Sequence, residues 1–209
     1  TGVQTCALPI YQSGQPTSNY LDGYISNVRI LKGTALYTSN FVPSTTPFTA
    51  IANTTLLTCA SPNIVDISPT QATITNNGSL TVQSNNPFAT QYKSGTPYYS
   101  SLFNSTNTDY LTAPASSSYN FGTSNFTIEA WVYFTAFSTV QTVVSTFPTS
   151  AVSITGWSVD VNTSGYLILD TFISGTEQSL TATNNALVAN KWYHIAVVNS
   201  SGTFGLYVN

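Results

Sequence analysis

The segment 126–134 constrains the fold more than any other part of the chain, because its apolar and polar residues alternate along nine positions. Successive side chains of a β-strand point to opposite faces. One face of this segment is therefore entirely apolar, and the other carries Thr127, Glu129, Trp131 and Tyr133. The apolar face consists of Phe126, Ile128, Ala130, Val132 and Phe134. We predict a strand whose apolar face is buried between two sheets.

Shorter strand-like segments, separated by Gly, Asn, Ser and Pro, fill most of the chain after residue 10. Asn- and Gly-containing turns at 162–165 and 199–202 each separate two such segments and predict two hairpins, since glycine readily adopts the positive φ of tight turns. Asn76-Asn-Gly78 predicts a third hairpin, between 72–74 and 80–82. Many short strands without helical patterns favour an all-β fold, an antiparallel β sandwich or jelly roll.

Charged residues make up only 5% of the chain, against roughly 25% in an average domain. Ser, Thr and Asn must supply the polar surface, and these residues are poor in helix interiors. Four Lys and Arg and a net charge of −3 provide no basic stripe to neutralise a row of phosphates, so we expect no nucleic acid partner. No apolar run approaches the roughly 20 residues of a membrane helix, so we expect no membrane insertion.

The first ten residues, TGVQTCALPI, resemble the in-frame translation of a common sequencing-library adapter. We interpret residues 1–10 as an artefactual tail that packs little against the core, and leave them out of fold reasoning. Cys6 is then no disulfide partner for Cys59. Cys59 lies in the apolar run 56–60 and is predicted to be a small buried hydrophobe.

The segment 21–33 predicts a further strand with Val28 and Ile30 on one side. Ile25 is out of phase with them by one residue, which predicts a β-bulge near Ser26 and Asn27.

Several of these segments resemble the motifs of one family. Residues 126–132, FTIEAWV, are similar to the central-strand motif of laminin G-like domains in the concanavalin A-like lectin/glucanase superfamily. The segments 191–198 and 206–209 resemble its later strands, and 109–114, DYLTAP, resembles its approach to the central strand. The resemblance covers nearly all of residues 20–209 and implies an antiparallel jelly-roll β sandwich.

One motif stands out of order, because 22–30 resembles the last strand of such a domain. The resemblance therefore implies four parts: the tail 1–10, the closing strand of a preceding module in 11–39, a linker in 40–55 and a truncated module in 56–209. We predict that residues 23–31 nevertheless dock in the sandwich of that module, near residues 56–60. The fold would then be circularly permuted in effect.

The tandem arrangement is similar to repeats in phage and marine bacterial surface proteins. It implies an extracellular or virion-surface location, with a glycan or neighbouring modules of the same protein as partners.

Some relatives in this superfamily are glycoside hydrolases, which need two carboxylates beside the scissile bond. Glu129 has no second carboxylate on its strand face, and nothing in the sequence brings Asp160 or Asp170 to it. His194 has no recognisable nucleophile partner and is predicted to be a hydrogen-bonded sheet residue. We therefore expect no enzymatic activity.

Sugar binding is the main alternative, because aromatic side chains combine a flat apolar face with a polar edge. The candidate sugar-binding residues are Trp131, Tyr133, Trp157 and Tyr166. No cofactor is certain, but the resemblance implies a structural calcium site at Asp22 and Asp66. Ser26 stands where relatives commonly have an aspartate.

Two functions remain open at this point. The first is a non-catalytic carbohydrate-binding or adhesion module of a virion or cell-surface protein. The second is a structural spacer domain of a fibre without a ligand of its own. An accessory domain of a secreted glycoside hydrolase is a third, less favoured interpretation.

Overall fold

A computed structural model of the chain describes residues 8–10, 19–88, 98–146, 156–173 and 176–209. These residues are almost entirely strands and loops, with short 3-10 turns at Ser105–Asn107 and Ser117–Tyr119. In chain order the strands are β1 (Leu8–Ile10), β2 (Gly23–Lys32), β3 (Thr54–Thr58), β4 (Thr75–Asn77), β5 (Thr81–Gln83), β6 (Ser100–Phe103), β7 (Tyr110–Ala113), β8 (Phe126–Phe134), β9 (Gln141–Ser145), β10 (Gly156–Val161), β11 (Leu167–Ile173), β12 (Thr176–Thr181), β13 (Trp192–Ser200) and β14 (Thr203–Val208).

All strand pairs are antiparallel. The largest sheet has seven strands, in the order β14-β13-β8-β2-β6-β5, with β3 beside the second half of β2. A four-stranded sheet has the order β12-β11-β10-β9, and a three-stranded sheet the order β1-β7-β4. Side chains from all three sheets meet in one hydrophobic core. The predicted all-β, antiparallel sandwich is confirmed.

Strand β8 lies at the centre of the seven-stranded sheet, between β13 and β2. Its predicted apolar face is buried in the core, as the alternation of residues 126–134 requires. The five core positions are Phe126, Ile128, Ala130, Val132 and Phe134. The polar face of β8 therefore points to the outer side of the sheet, away from the core.

Strand β2 docks where the sequence predicts. It pairs with β8 on one side and with β3 and β6 on the other, and Val28 and Ile30 are fully buried in the core. The predicted bulge is present, because the register with β8 shifts between Ser26 and Arg29. Asn27 occupies the bulge with φ 57°. The division of the chain into 11–39, 40–55 and 56–209 stays a prediction.

The two hairpins β10–β11 and β13–β14 are confirmed. The third predicted hairpin is wrong, because β4 pairs with β7 and β5 pairs with β6. Gly78 still makes a tight turn with φ 101°, but a Cβ there would lie 2.3 Å from Asp109 Oδ1. Asp109 Oδ1 accepts a hydrogen bond from the Ser79 amide at 2.6 Å. At this turn the chain thus passes from one sheet to another instead of folding back on itself.

The expectation that the first ten residues pack little does not hold for Leu8–Ile10, which form β1 beside β7. Residues 1–7, including Cys6, lie outside the described part, and the origin of the segment stays a prediction. Cys59 is a buried free thiol, as predicted. In the described ranges, no helix is long and apolar enough to cross a membrane.

Candidate functional site

The outer face of the seven-stranded sheet carries the polar and aromatic side chains of β8 and its neighbours. Antiparallel register sets them in rows across the sheet, and side chains directly opposite each other are in contact range. The three rows are Tyr24, Tyr133 and Trp192; Ser26, Trp131 and His194; and Arg29, Glu129 and Ala196.

Glu129 lies at the centre of a buried polar network. Arg29 contacts Oε1 through Nε at 2.8 Å and Nη2 at 2.6 Å. Tyr37 Oη donates to Oε2 at 2.7 Å, and His194 Nε2 lies 3.0 Å from the same oxygen. The side chains of Glu129 and His194 are fully buried. Both carboxylate oxygens are thus engaged by protein groups.

The network fixes the protonation state of Glu129. Burial alone raises the pKa of this carboxyl, but the hydrogen bond from His194, the charge of Arg29 and the hydrogen bond from Tyr37 outweigh burial and hold it below its usual range. Burial and the nearby Glu129 charge raise the pKa of the Tyr37 phenol. A catalytic acid needs the opposite, a raised pKa and access to a substrate. The arrangement is that of a structural ion pair.

Residues 34–49 cover this network, and we call them the covering segment. The Tyr37 and Phe41 rings stack at 3.5 Å, and Phe41 lies edge-on to His194 at 5.5 Å. The guanidinium of Arg29 lies 4.6 Å over the Phe48 ring. The covering segment therefore closes one end of the outer face.

Trp131 lies at the border of the covered region. Its indole is 5.4 Å from His194 and 5.7 Å from Phe88, both edge-on. Trp131 Nε1 and His194 Nδ1 are buried and have no hydrogen-bond partner among the described residues. Since Glu129 is an acceptor, the hydrogen of the imidazole belongs on Nε2. The half-buried Trp131 ring is thus in contact with two other rings.

The open end of the face carries three half-buried rings, Tyr24, Tyr133 and Trp192, which we call the aromatic platform. Tyr24 and Tyr133 are 5.5 Å apart, Tyr133 and Trp192 5.6 Å, and Tyr24 and Trp192 6.3 Å. Three adjacent strands supply one ring each. Only a sheet with β2 inserted beside β8 brings these rings together.

Two amide side chains border the aromatic platform. Trp192 Nε1 donates to Asn85 Oδ1 at 3.3 Å, and Tyr133 Oη donates to Asn190 Oδ1 at 3.4 Å. Amides can both donate and accept hydrogen bonds. The platform thus combines apolar ring faces with neutral polar groups at its edge.

The other two predicted sugar-binding aromatics lie elsewhere. Trp157 is buried in the core, with its ring stacked on Phe121 at 5.1 Å and its Nε1 donating to Tyr119 O at 2.9 Å. Its position between the sheets removes it from the candidate set. Tyr166 follows the turn between β10 and β11, on the four-stranded sheet. The structure therefore brings only Trp131 and Tyr133 of the four to this face.

The surroundings of Asp66, one of the two predicted calcium ligands, do not fit a cation, whereas calcium at Asp22 stays a prediction. The carboxylate of Asp66 accepts hydrogen bonds from the amides of Leu57, Ser68 and Ala72 and from the Ser68 hydroxyl, at 2.8 to 3.0 Å. Calcium requires oxygen ligands, whereas three of these partners are N–H donors. Asp22 Oδ2 accepts from Thr135 Oγ1 at 2.5 Å. Within the described ranges, no three His, Cys, Asp or Glu residues lie close enough to hold a metal ion.

A second buried carboxylate lies on the outer face of the four-stranded sheet. Asp160 accepts hydrogen bonds from the hydroxyls of Thr142 and Ser158. Burial raises its pKa to about 6, against the lowering effect of these hydrogen bonds. Asp170 is on the neighbouring strand and its pKa is also raised by burial. Asp160 is only 4% exposed, so it is not accessible to a substrate.

Sequence analysis missed Tyr24 and Trp192. Trp192 directly precedes the alternating part of β13 and could have been assigned to the Trp131 face from its two-residue spacing to His194. Tyr24 could be assigned to this face only by combining the predicted bulge near Ser26 and Asn27, which reverses the facing of the residues before it, with the pairing of β2 and β8.

One family model, laminin G type, matches residues 104–209 and carries the description concanavalin A-like lectin/glucanases superfamily. No curated protein and no solved structure matches the chain. The match supports a carbohydrate-binding or adhesion-type module in general. It covers β7 to β14, with the central strand β8 and both confirmed hairpins. Because the matched residues make up half of the chain, the chain belongs to the concanavalin A-like lectin/glucanase superfamily as a laminin G-like member.

Proposed function

We propose that the chain is a non-catalytic carbohydrate-binding module of an extracellular, cell-surface or virion-surface protein, and that the aromatic platform is its glycan site. The observation that carries the proposal is the meeting of Tyr24, Tyr133 and Trp192, half-buried, at the open end of the outer face. Its partners are a glycan and the neighbouring modules of the same protein.

The chemistry of the aromatic platform suits a sugar. The C–H groups of a sugar ring form an apolar face that packs against an aromatic ring, while its hydroxyls need donors and acceptors at the ring edge. Ligand sites typically combine apolar walls with a few well-placed polar groups. Asn85 and Asn190 are the polar groups of this site.

The buried carboxylates support a non-catalytic role. Glu129 is held ionised and is covered by the covering segment. Asp160, on the outer face of the four-stranded sheet, is buried. Glycoside hydrolysis needs two carboxylates at a substrate. Neither residue is placed to reach one.

The closed end of the face favours the second candidate function, a structural spacer. The covering segment and the Glu129 network join β2, β8 and β13 into a rigid unit without involving a ligand. Such a unit suits a module that holds its neighbours apart. The glycan-binding test separates the two functions.

The test is a glycan array probed with the whole chain, beside the variants Trp192→Ala and Tyr166→Ala. We expect retention on at least one glycan, loss with Trp192→Ala, and no change with Tyr166→Ala, whose ring lies on the other sheet. Circular dichroism checks that both variants keep the fold. Binding to no glycan would contradict the proposal and leave the spacer function.

A further inference from the structure

The geometry of the aromatic platform also restricts the kind of glycan, an inference that rests on the proposed function. We infer that the platform binds one neutral sugar residue at the end or branch of a soluble glycan, and not the flat surface of an insoluble polysaccharide.

The three rings of the platform do not share a plane. Tyr24 and Tyr133 are inclined by 87°, Tyr133 and Trp192 by 59°, and Tyr24 and Trp192 by 51°. A flat polysaccharide surface packs against rings that share one plane, and no two of these rings do. Tyr24 and Tyr133 meet edge to face and Trp192 is tilted against both, so the three ring faces cannot lie on one flat surface.

The platform is small. All three ring centroids lie within 6.3 Å of one another, so the rings form one compact cluster instead of a row along a glycan chain. Tyr133 and Tyr24 come from directly opposite positions on β8 and β2, as do Tyr133 and Trp192 on β8 and β13. The three rings therefore come from directly opposite positions on three neighbouring strands and do not extend along any one strand.

The open part of the face is short along the strand direction. The next row along the sheet holds Trp131, whose ring is contacted by His194 and Phe88. Beyond it, the covering segment packs on His194 through Phe41 and Phe48. A glycan chain that continued along the strands would meet these residues. The site therefore ends after one row.

The charges around the platform also restrict the kind of sugar. The groups hydrogen-bonded to the platform rings are the amides of Asn85 and Asn190, which are neutral, and the carboxylate two residues before Tyr24, Asp22, accepts from Thr135. Lys191 is next in sequence to Trp192, but its ammonium lies 5.0 Å over the Tyr193 ring. Alternation along β13 places Tyr193 on the opposite face from Trp192. Among the described residues, no cationic group lies at the platform to pair with a sugar carboxylate, which would lose its hydration on binding.

The experiment measures the affinity of the whole chain, by isothermal titration calorimetry, for a chain-length series. The probes are glucose, galactose, mannose and N-acetylglucosamine, with their soluble homo-oligomers up to the hexamer. Glucuronic and galacturonic acids are the matched acidic probes, and microcrystalline cellulose and chitin the insoluble ones, measured by co-sedimentation.

We expect one neutral sugar to bind, and its mono- or disaccharide to bind nearly as tightly as its longer oligomers. The affinity for the hexamer should differ from that for the disaccharide by no more than about threefold. The matched acidic sugar should bind on the order of tenfold more weakly, which corresponds to one strong polar contact. Trp192→Ala should abolish the binding and Trp192→Phe should retain part of it.

An affinity that rises with each added sugar unit would overturn the inference while leaving the proposed function intact. The same holds if the chain is retained on cellulose or chitin and this retention is lost in Trp192→Ala. It also holds if an acidic sugar binds as tightly as the matched neutral sugar. Binding to none of these probes, together with an empty glycan array, would overturn the proposed function itself.

Discussion

Arg29 and Glu129 are one hundred residues apart in the chain, yet Nη2 and Oε1 of this pair are 2.6 Å apart and both side chains are buried. The pair joins the early strand β2 to the central strand β8. Tyr37 and His194 complete the hydrogen bonding of the carboxylate. The ion pair thus holds together three distant parts of the sequence.

Replacing Glu129 by Gln should destabilise the fold by about 3 to 5 kcal/mol, because the variant leaves the buried charge of Arg29 without a partner. Urea unfolding at pH 7 measures the change. Glu177→Gln is the matched control, since Glu177 is exposed on β12 and its replacement should change stability by less than about 0.5 kcal/mol. Equal effects of the two substitutions would contradict the role of the network.

Asp160 should make the fold more stable in mild acid than at neutral pH. Burial raises its pKa from 3.8 to about 6, so the folded state disfavours the ionised form. The resulting cost is absent below pH 3.8, grows between pH 3.8 and 6, and is complete above that range, where it reaches about 3 kcal/mol.

Asp160→Asn removes this titration. The difference in unfolding free energy between the variant and the natural chain should be small at pH 4 and should favour the variant at pH 7. The titration of Glu129, which lies in the other sheet, cancels in the difference, whereas the charge of Asp170 helps to raise the Asp160 pKa and is part of the effect that the variant removes. A difference that does not vary between pH 4 and pH 7 would show that Asp160 ionises normally in the fold.

Asn27 combines a positive φ of 57° with a hydrogen bond from the Phe48 amide to its Oδ1 at 2.7 Å. Asn27→Gly should keep the backbone conformation and lose the side-chain hydrogen bonds, those from the Phe48 amide and to Ser26 Oγ, at about 1 to 3 kcal/mol for a buried donor left unpaired. Asn27→Ala should cost more, because alanine also disfavours the left-handed conformation. Thermal and urea unfolding of both variants would rank them, and an alanine variant as stable as the glycine variant would contradict the bulge geometry.

Cys59 should be unreactive in the native chain. Burial raises the pKa of its thiol to about 11, and the thiolate is the reactive form. In a Cys6→Ser background, a thiol-specific chromogenic reagent at pH 8 should label Cys59 only after denaturant is added. Rapid labelling of the folded protein would show that the strand end at residue 59 opens readily.

The sequence predicted features that depend on local pattern. The alternation in 126–134 placed the faces of β8 correctly, and the out-of-phase Ile25 indicated the bulge. The Glu129 network could not be predicted, since Arg29, Glu129 and His194 meet only through strand register. The Pro-rich pattern of 40–55 also gave no sign that Phe48 is buried against Arg29. The aromatic platform required both the register and the bulge, so only Tyr133 and its neighbour Trp131 were anticipated.

Glycan binding at the aromatic platform can be measured directly, because the chain has three tryptophans. Trp192 lies on the platform, Trp131 at its covered border and Trp157 in the core, so each reports on a different region. The measurement follows their three indole N–H signals in a ¹⁵N-labelled sample, assigned with Trp→Phe variants, during titration with the soluble sugar that binds best. We expect the Trp192 signal to shift in a saturable manner while the Trp157 signal stays in place. A sugar that binds without moving the Trp192 signal, or that moves Trp157 instead, would contradict glycan binding at the platform.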